Sequence, residues 1–415
     1  MLTIFLCAAL SAQPSNPITP LQAFREAEHA WATEGGRTWG QSLKGPFLLV
    51  DPGTRQVWAS EADADGRLRK EAGFFAGTLT KEETISNTAV NWAGKRWSMV
   101  VLPLPEKAIE RQVLFVHEAW HRIQPSLGLG MPNDPAGHLD KMEGRYWLRL
   151  EWRALAKALV SPQKARRPWV AAALACRTRR QALFGDAVEA ERCLELTEGL
   201  PEYTGIRAAG ARNLVLEKLR KAAGPFARSF AYTSGPAYGL LLDDRVPGWT
   251  RRVRRATDLS VLLQEAYLLP AATRADAEAA AGKLGGKELR VREEAEEVIR
   301  QQRLAAALDP LTKGPTLRLP GPFRTQFNPS NTEAIDGGGS YHPTATYIGD
   351  WGRLEVTGGS LRLRSPLEAR VVAPADPKAR PLSGPGWTLE LAPGWTLSAI
   401  EPAGSFRLIP EKQGK

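Results

Sequence analysis

The sequence predicts an α+β protein: a mixed sheet and a helical region in its first three quarters, followed by a small all-β domain. Three observations predict this. Short apolar runs bounded by Gly, Pro and Asp fill residues 47–104. From 106 to 309 apolar residues recur mainly at helical spacing. After Pro310 the composition turns to Gly, Pro, Thr and alternating apolar residues. A chain of 415 residues suggests two or three domains, and 43% hydrophobic residues suffice for real cores. The divisions expected are a leader over 1–12, an N-terminal helix and mixed β-sheet over 17–105, a helical region over 106–309 and a C-terminal β-domain over 310–415.

The first twelve residues, MLTIFLCAALSA, form an apolar run ending in small residues, and Gln13-Pro14 breaks any continuation. That pattern reads as a signal peptide, so the mature chain is expected to be secreted or periplasmic. No later run reaches the roughly 18 apolar residues of a membrane span, so the protein is not expected to cross a bilayer. Net charge is +10, which favours anionic partners such as cell-envelope components. The basic clusters Arg177 to Arg180 and Arg251 to Arg255 lie in amphipathic helical stretches and read as solvated faces, so nucleic acid is not an expected partner. Cys176 and Cys193 remain after loss of a leader. They can pair or stay as buried thiols, and their spacing fits no zinc knuckle.

Residues 17–34 read as an amphipathic helix with Leu21, Phe24, Ala27 and Trp31 on one side, stopped by Gly35-Gly36. Strands are expected at Phe47 to Val50, Gln56 to Ala59, Phe74 to Leu79, Ala89 to Trp92 and Lys95 to Leu104. The last runs straight into the next helix. At a sheet edge it would offer unpaired backbone groups to an extended peptide. His29 reads as an ordinary helix residue.

That next helix, 107–123, contains His117, Glu118 and His121 in the pattern His-Glu-x-x-His. Positions i and i+4 of an α-helix share a face, so both histidines can grip one zinc ion, Zn2+. Glu118 beside them has the chemistry of a general base toward water and a general acid toward a leaving amine. With 5 His in the chain, the pattern is expected by chance fewer than about 0.01 times.

A catalytic zinc needs a third protein ligand, and two Glu-Gly pairs follow: Glu143-Gly144 close behind, and Glu198-Gly199 much further on. Around Glu143, residues Tyr146, Trp147, Leu150, Trp152 and Leu155 read as a long packing helix. The stretch Leu196-Thr197-Glu198-Gly199-Leu200-Pro201-Glu202-Tyr203 resembles the Asn-Glu-Gly-Leu-Ala-Glu-Tyr helix of gluzincin metallopeptidases, the superfamily of thermolysin and the aminopeptidase N family. The resemblance implies a gluzincin-like core of mixed sheet with an edge strand plus a helical domain, with Glu198 as third ligand and Glu202 as a supporting acid. Thr197 and Pro201 depart from the family pattern, and the interval from His121 is far longer than usual. Glu143 stands nearer the usual interval and stays a rival. The intervening residues read as an inserted helical pair, Asp140 to Val160 and Pro168 to Phe184. His138, in the loop before them, reads as exposed.

Peptide hydrolysis also needs a donor for the developing oxyanion. Tyr232-Thr233-Ser234-Gly235 resembles the tyrosine helix of the aminopeptidase N family, which implies Tyr232 for that role, with Tyr238 as rival. Helices are expected over Leu259 to Leu269 and Ala271 to Leu308, broken at Gly285-Gly286. Six short strands are expected after Pro310: Thr316 to Leu319, Gly352 to Val356, Ser360 to Leu363, Ala369 to Val372, Thr388 to Leu391 and Thr396 to Ala399. His342 reads as a loop residue outside the site. The function expected is an exported zinc metallopeptidase acting on peptide or protein substrates, with His117, His121 and Glu198 as ligands and Glu118 and Tyr232 as catalytic groups. The other class of reading is a non-catalytic, metal-containing cell-envelope binding protein. No Gly-x-Met-Glu-Asn element lies upstream, so free-amine recognition is not expected.

Overall fold

The computed structural model describes residues 18–221, 223–328, 331–335 and 338–411, so the leader expected over 1–12 lies outside the described residues. Helix α1 (Pro20–Glu34) starts where the Thr19 hydroxyl accepts from the Gln22 N–H and stops at Gly35, whose φ of 57° suits glycine. It buries Phe24, Ala27 and Trp31, as its spacing predicts.

The first sheet contains β1 (Phe47–Val50), β2 (Gln56–Ala59), β3 (Arg69–Lys70), β4 (Phe75–Thr78), β5 (Thr88–Trp92) and β6 (Lys95–Val101), in the order β3-β4-β2-β1-β6-β5. β1 and β6 run parallel and the other pairs antiparallel, so the sheet is mixed. β1 is buried on both faces: Phe47 and Leu49 enter the large core shared with the helices, while Leu48 and Val50 enter a smaller core with Trp97 and Met99. The edge position in which Lys95 to Leu104 could have offered its backbone to a peptide is not the one it takes. β6 is an interior strand between β1 and β5, its backbone groups are used on both sides, and β5 takes the edge.

The helical region comprises α2 (Ala108–Ile123), α3 (Met142–Val160), α4 (Arg167–Gln181), α5 (Ala187–Leu194), α6 (Leu200–Ala208), α7 (Arg212–Lys221), α8 (Ala231–Asp243), α9 (Leu259–Ala266), α10 (Arg274–Lys283) and α11 (Gly286–Thr312). A π-helical turn, Glu195–Gly199, joins α5 to α6. The inserted pair α3 and α4 packs together, and around it the expectation of solvated arginines fails. Arg177 and Arg180 are almost wholly buried, at 1% and 0% exposure. Arg177 forks onto Glu195 at 2.6 and 2.8 Å, and Arg180 joins Glu191 at 2.7 Å to Glu151 at 2.6 Å. His138, expected to be exposed, is buried and lies 2.8 Å from Glu191. Periodicity marked the arginine positions as helical but could not say which side faced the insertion. Cys176 and Cys193 are both free and buried.

Helix α11 continues through Pro310 to Thr312, past the boundary expected at 309, and the β-domain starts at Thr316. That domain contains β7 (Thr316–Pro320), β8 (Phe323–Phe327), β9 (Glu333–Ile335), β10 (Gly339–His342), β11 (Ala345–Gly349), β12 (Gly352–Val356), β13 (Ser360–Arg364), β14 (Leu367–Val372), β15 (Leu382–Gly384), β16 (Trp387–Leu391), β17 (Trp395–Ile400) and β18 (Ser405–Pro410). They form two sheets, β17-β18-β7-β14-β13-β10-β9 and β15-β16-β12-β11-β8, which share one apolar core around Tyr347, Trp351, Leu354 and Val371. The six expected strands are present. β8, β9, β10, β11, β15 and β18 were not expected, and of these β8, β9 and β10 lack a regular apolar alternation. His342, expected in a loop, ends β10 and is buried. The β-domain is pinned to the rest by Lys81–Glu390 at 2.8 Å, by Arg324 donating to the Glu82 carbonyl at 2.5 Å, and by Arg364–Asp134 at 2.9 Å. Among the described residues no helix is long and apolar enough to cross a membrane.

Candidate metal centre

α2 is buried from Phe115 to Trp120, so His117 is buried while His121, just beyond that run, is half-buried. α6 crosses it closely. A Cβ on Gly205 would sit 2.6 Å from the Val113 carbonyl oxygen, so only glycine permits the approach. The crossing brings Glu202 Oε2 to 2.9 Å from His117 Nδ1, and Lys218 Nζ holds the other oxygen of Glu202 at 2.6 Å. His121 Nδ1 lies 3.2 Å from Gln124 Oε1. With each Nδ1 facing an oxygen acceptor, Nε2 is the free position of each ring.

Glu198 rides on the π-helical turn. The turn is held from behind by the Arg177–Glu195 fork and from the side by α8, where a Cβ on Gly199 would lie 3.1 Å from the Gly235 Cα. The π turn takes up more residues than an α-helical turn, which rotates Glu198 relative to the α6 face that carries Glu202. Both acids thereby reach His117 from different sides.

The two Nε2 atoms are 3.2 Å apart and each is 3.6 Å from Glu198 Oε2. Donors about 2.0–2.1 Å from a tetrahedral ion are separated by about 3.3 Å, so this triangle has the dimensions of a three-donor face for one small divalent cation. Charge gives a second test. Burial lowers the basicity of His117, yet hydrogen bonding to Glu198 and Glu202 outweighs it and pushes the pKa up to about 10. The pocket holds more carboxylate than cation and needs positive charge at Nε2. The donor set could therefore hold a metal ion.

Glu118 is 3% exposed and its Oε2 has no hydrogen-bond partner among the described residues. Burial raises its pKa against the pull of His117 and His121. An orphaned carboxylate oxygen beside a cation site is a free proton acceptor. The Tyr232 ring stacks on His117 at 5.4 Å with planes 1° apart, and its hydroxyl donates to Glu198 Oε2 at 2.6 Å. Burial, with Glu198 alongside, holds that phenol well above its usual range.

The structure thus brings together all five residues singled out by the sequence: His117, Glu118, His121, Glu198 and Tyr232. It keeps the two rivals away. Glu143 pairs with Arg290 at 2.6 Å and accepts from the Trp147 indole at 3.0 Å, and Tyr238 donates to Glu151 at 2.8 Å. Four supporting residues escaped the sequence reading. Gln124 stands one helical turn after His121 and was readable by spacing. Lys218, Asn133, whose amide donates to Glu198 Oε1 at 3.2 Å, and Arg228 carry no local signal. The centre opens onto a cleft of about 1470 Å³, walled by residues 84–88, the start of α8, the face of α7 and residues Thr325 to Phe327 of β8. The chain matches no protein-family model, no curated protein and no solved structure.

Proposed function

We propose that this chain is an exported zinc-dependent metallopeptidase with a gluzincin-like core. One observation carries the reading: the unpartnered Oε2 of Glu118 stands beside a His117–His121–Glu198 donor triangle in the wall of a large cleft. His117, His121 and Glu198 would hold the ion, with Glu202 and Gln124 fixing the rings. A zinc ion so held supplies Lewis acidity, which polarises a peptide carbonyl and acidifies a water.

The chain's own residues do the rest. Glu118 Oε2 takes the proton as the water oxygen bonds to the carbonyl carbon, and returns it to the amine as the C–N bond breaks. The Tyr232 hydroxyl turns from Glu198 to donate to the developing oxyanion, where a neutral phenol with a raised pKa keeps its proton to give. The N-terminal apolar run supports export, and the net charge of +10 suits anionic envelope components as surroundings.

The test is zinc content together with cleavage of a mixed peptide library, for the purified chain and for Glu118→Gln. Both forms are expected to bind one equivalent of zinc, and the variant to lose about 10²–10⁴-fold in rate. Cleavage undiminished in Glu118→Gln would remove Glu118 from the mechanism. Zinc binding without cleavage by either form would leave a metal-containing envelope-binding protein.

A further inference from the structure

Each lysine that lines the cleft is paired with an acid. Lys107 meets Glu110 at 3.0 Å, Lys218 meets Glu202 at 2.6 Å and Lys221 meets Glu217 at 3.1 Å. Arg228 also lines the cleft, but among the described residues it makes no ion pair. The guanidinium is held in place without being neutralised. Nη1 donates to the Asn133 carbonyl at 2.6 Å, and the group lies over the Phe327 ring at 5.3 Å. The acids nearest to it are committed elsewhere: Glu198 to the histidines, and Asp134 to Arg364 at 2.9 Å. A guanidinium carries five N–H donors, and one acceptor among the described residues leaves most of them unused by those residues.

Position matters as much as charge. Asn133 supports Arg228 through its carbonyl and Glu198 through its amide, so the cation is tied to the same residue as the third metal donor. Arg228 also lies four residues before Tyr232, in the turn that leads into α8. A fixed, half-buried guanidinium lying over an aromatic ring favours the planar, two-oxygen geometry of a carboxylate.

We propose that Arg228 is the recognition point for a carboxylate of the substrate, so that the cleft prefers peptides bearing a free C-terminal or an acidic side-chain carboxylate near the metal centre. The inference rests on the peptidase reading for the word substrate, though the binding it describes does not require hydrolysis. Burial lowers the Arg228 pKa while Glu198 raises it, consistent with a cation short of counter-charge.

The test uses three matched, N-acetylated fluorescent peptides: one with glutamine and a C-terminal amide, one with glutamate and the amide, and one with glutamine and a free C-terminus. Each is titrated into the zinc-loaded full chain carrying Glu118→Gln, alone and combined with Arg228→Gln or Arg228→Lys. At least one carboxylate-bearing peptide is expected to bind about 10-fold or more tightly than the neutral one. Arg228→Gln should abolish that advantage and Arg228→Lys should keep only part of it. The arm that shows the advantage identifies which carboxylate is read. Equal binding of all three peptides, binding of none, or an advantage unchanged in Arg228→Gln overturns the proposal. Should Arg228→Gln not fold, an advantage unchanged in Arg228→Lys does the same. Hydrolysis of the neutral peptide by the unmodified chain, with no carboxylate preference, sinks this inference and leaves the peptidase reading standing. A carboxylate preference with no peptide hydrolysed sinks the peptidase reading alone.

Discussion

At Glu198 one carboxylate faces both histidines, receives the Tyr232 hydroxyl on one oxygen and the Asn133 amide on the other. Glu198→Ala should lower zinc affinity by more than the about 10–100-fold typical of losing an outer partner. Glu143→Ala should leave zinc affinity unchanged and cost at most about 1 kcal/mol of stability, because its pair with Arg290 is more than one-third exposed. Competition with a chromophoric chelator measures both, and zinc loss on Glu143→Ala would reverse the ligand assignment. Tyr232→Phe is expected to retain zinc and lose about 10²–10³-fold in kcat, the usual effect of removing an oxyanion donor. An unchanged kcat would return the tyrosine to a packing role. The histidines and Glu118 were legible because their spacing on one helix is itself the chemistry. Arg228 and Asn133 were not legible, since their significance comes from segments that meet only in space.

Among the elements, two glycine contacts set the geometry of the centre. Gly205 lets α6 close on α2, and the Gly199–Gly235 contact lets α8 bring Tyr232 to the turn that bears Glu198. A Cβ added at Gly235 would collide with the Gly199 backbone, which has no side-chain freedom with which to yield. Gly235→Ala is therefore expected to cost about 1–3 kcal/mol and to weaken zinc binding. Gly282→Ala, on α10 with open space around it, should be neutral or slightly stabilising. Urea denaturation with zinc titration separates these outcomes, and equal stabilities for the two variants would deny the contact its role. The glycine after Glu198 stood out in the sequence as part of a motif, but its partner in α8 did not. Strand order was likewise hidden. An apolar run identifies β6 as a strand, while its place between β1 and β5 depends on pairings made across the chain.

For the molecule as a whole, the β-domain both completes the cleft and introduces an acid-sensitive group. The two ring nitrogens of His342 each meet a hydroxyl, Thr332 at 3.2 Å and Ser340 at 2.7 Å, and the ring lies among those of Phe327 and Tyr347, facing Arg362 and Arg228. Burial, reinforced by the two arginines, lowers its pKa from 6.5 to about 3. The folded state therefore keeps the ring neutral, while the unfolded chain takes a proton below pH 6.5. This contribution is full above pH 6.5 and is lost as pH falls toward 3, by about 1.4 kcal/mol per unit. Denaturation at pH 7 and pH 5 should show a steeper loss for the natural chain than for His342→Asn, and parallel losses would mean that His342 titrates normally. By itself the sequence determined the α+β class, the change to a β-domain after the long helix, and the five residues of the candidate centre, because periodicity and motif spacing are local properties of a chain. Only the tertiary structure decided that Glu198 rather than Glu143 stands by the histidines, that Arg177 and Arg180 are buried, and that β8 walls the cleft. Those outcomes depend on which faces meet across the inserted helices and the domain boundary, and neither local spacing nor composition encodes the partner of a face.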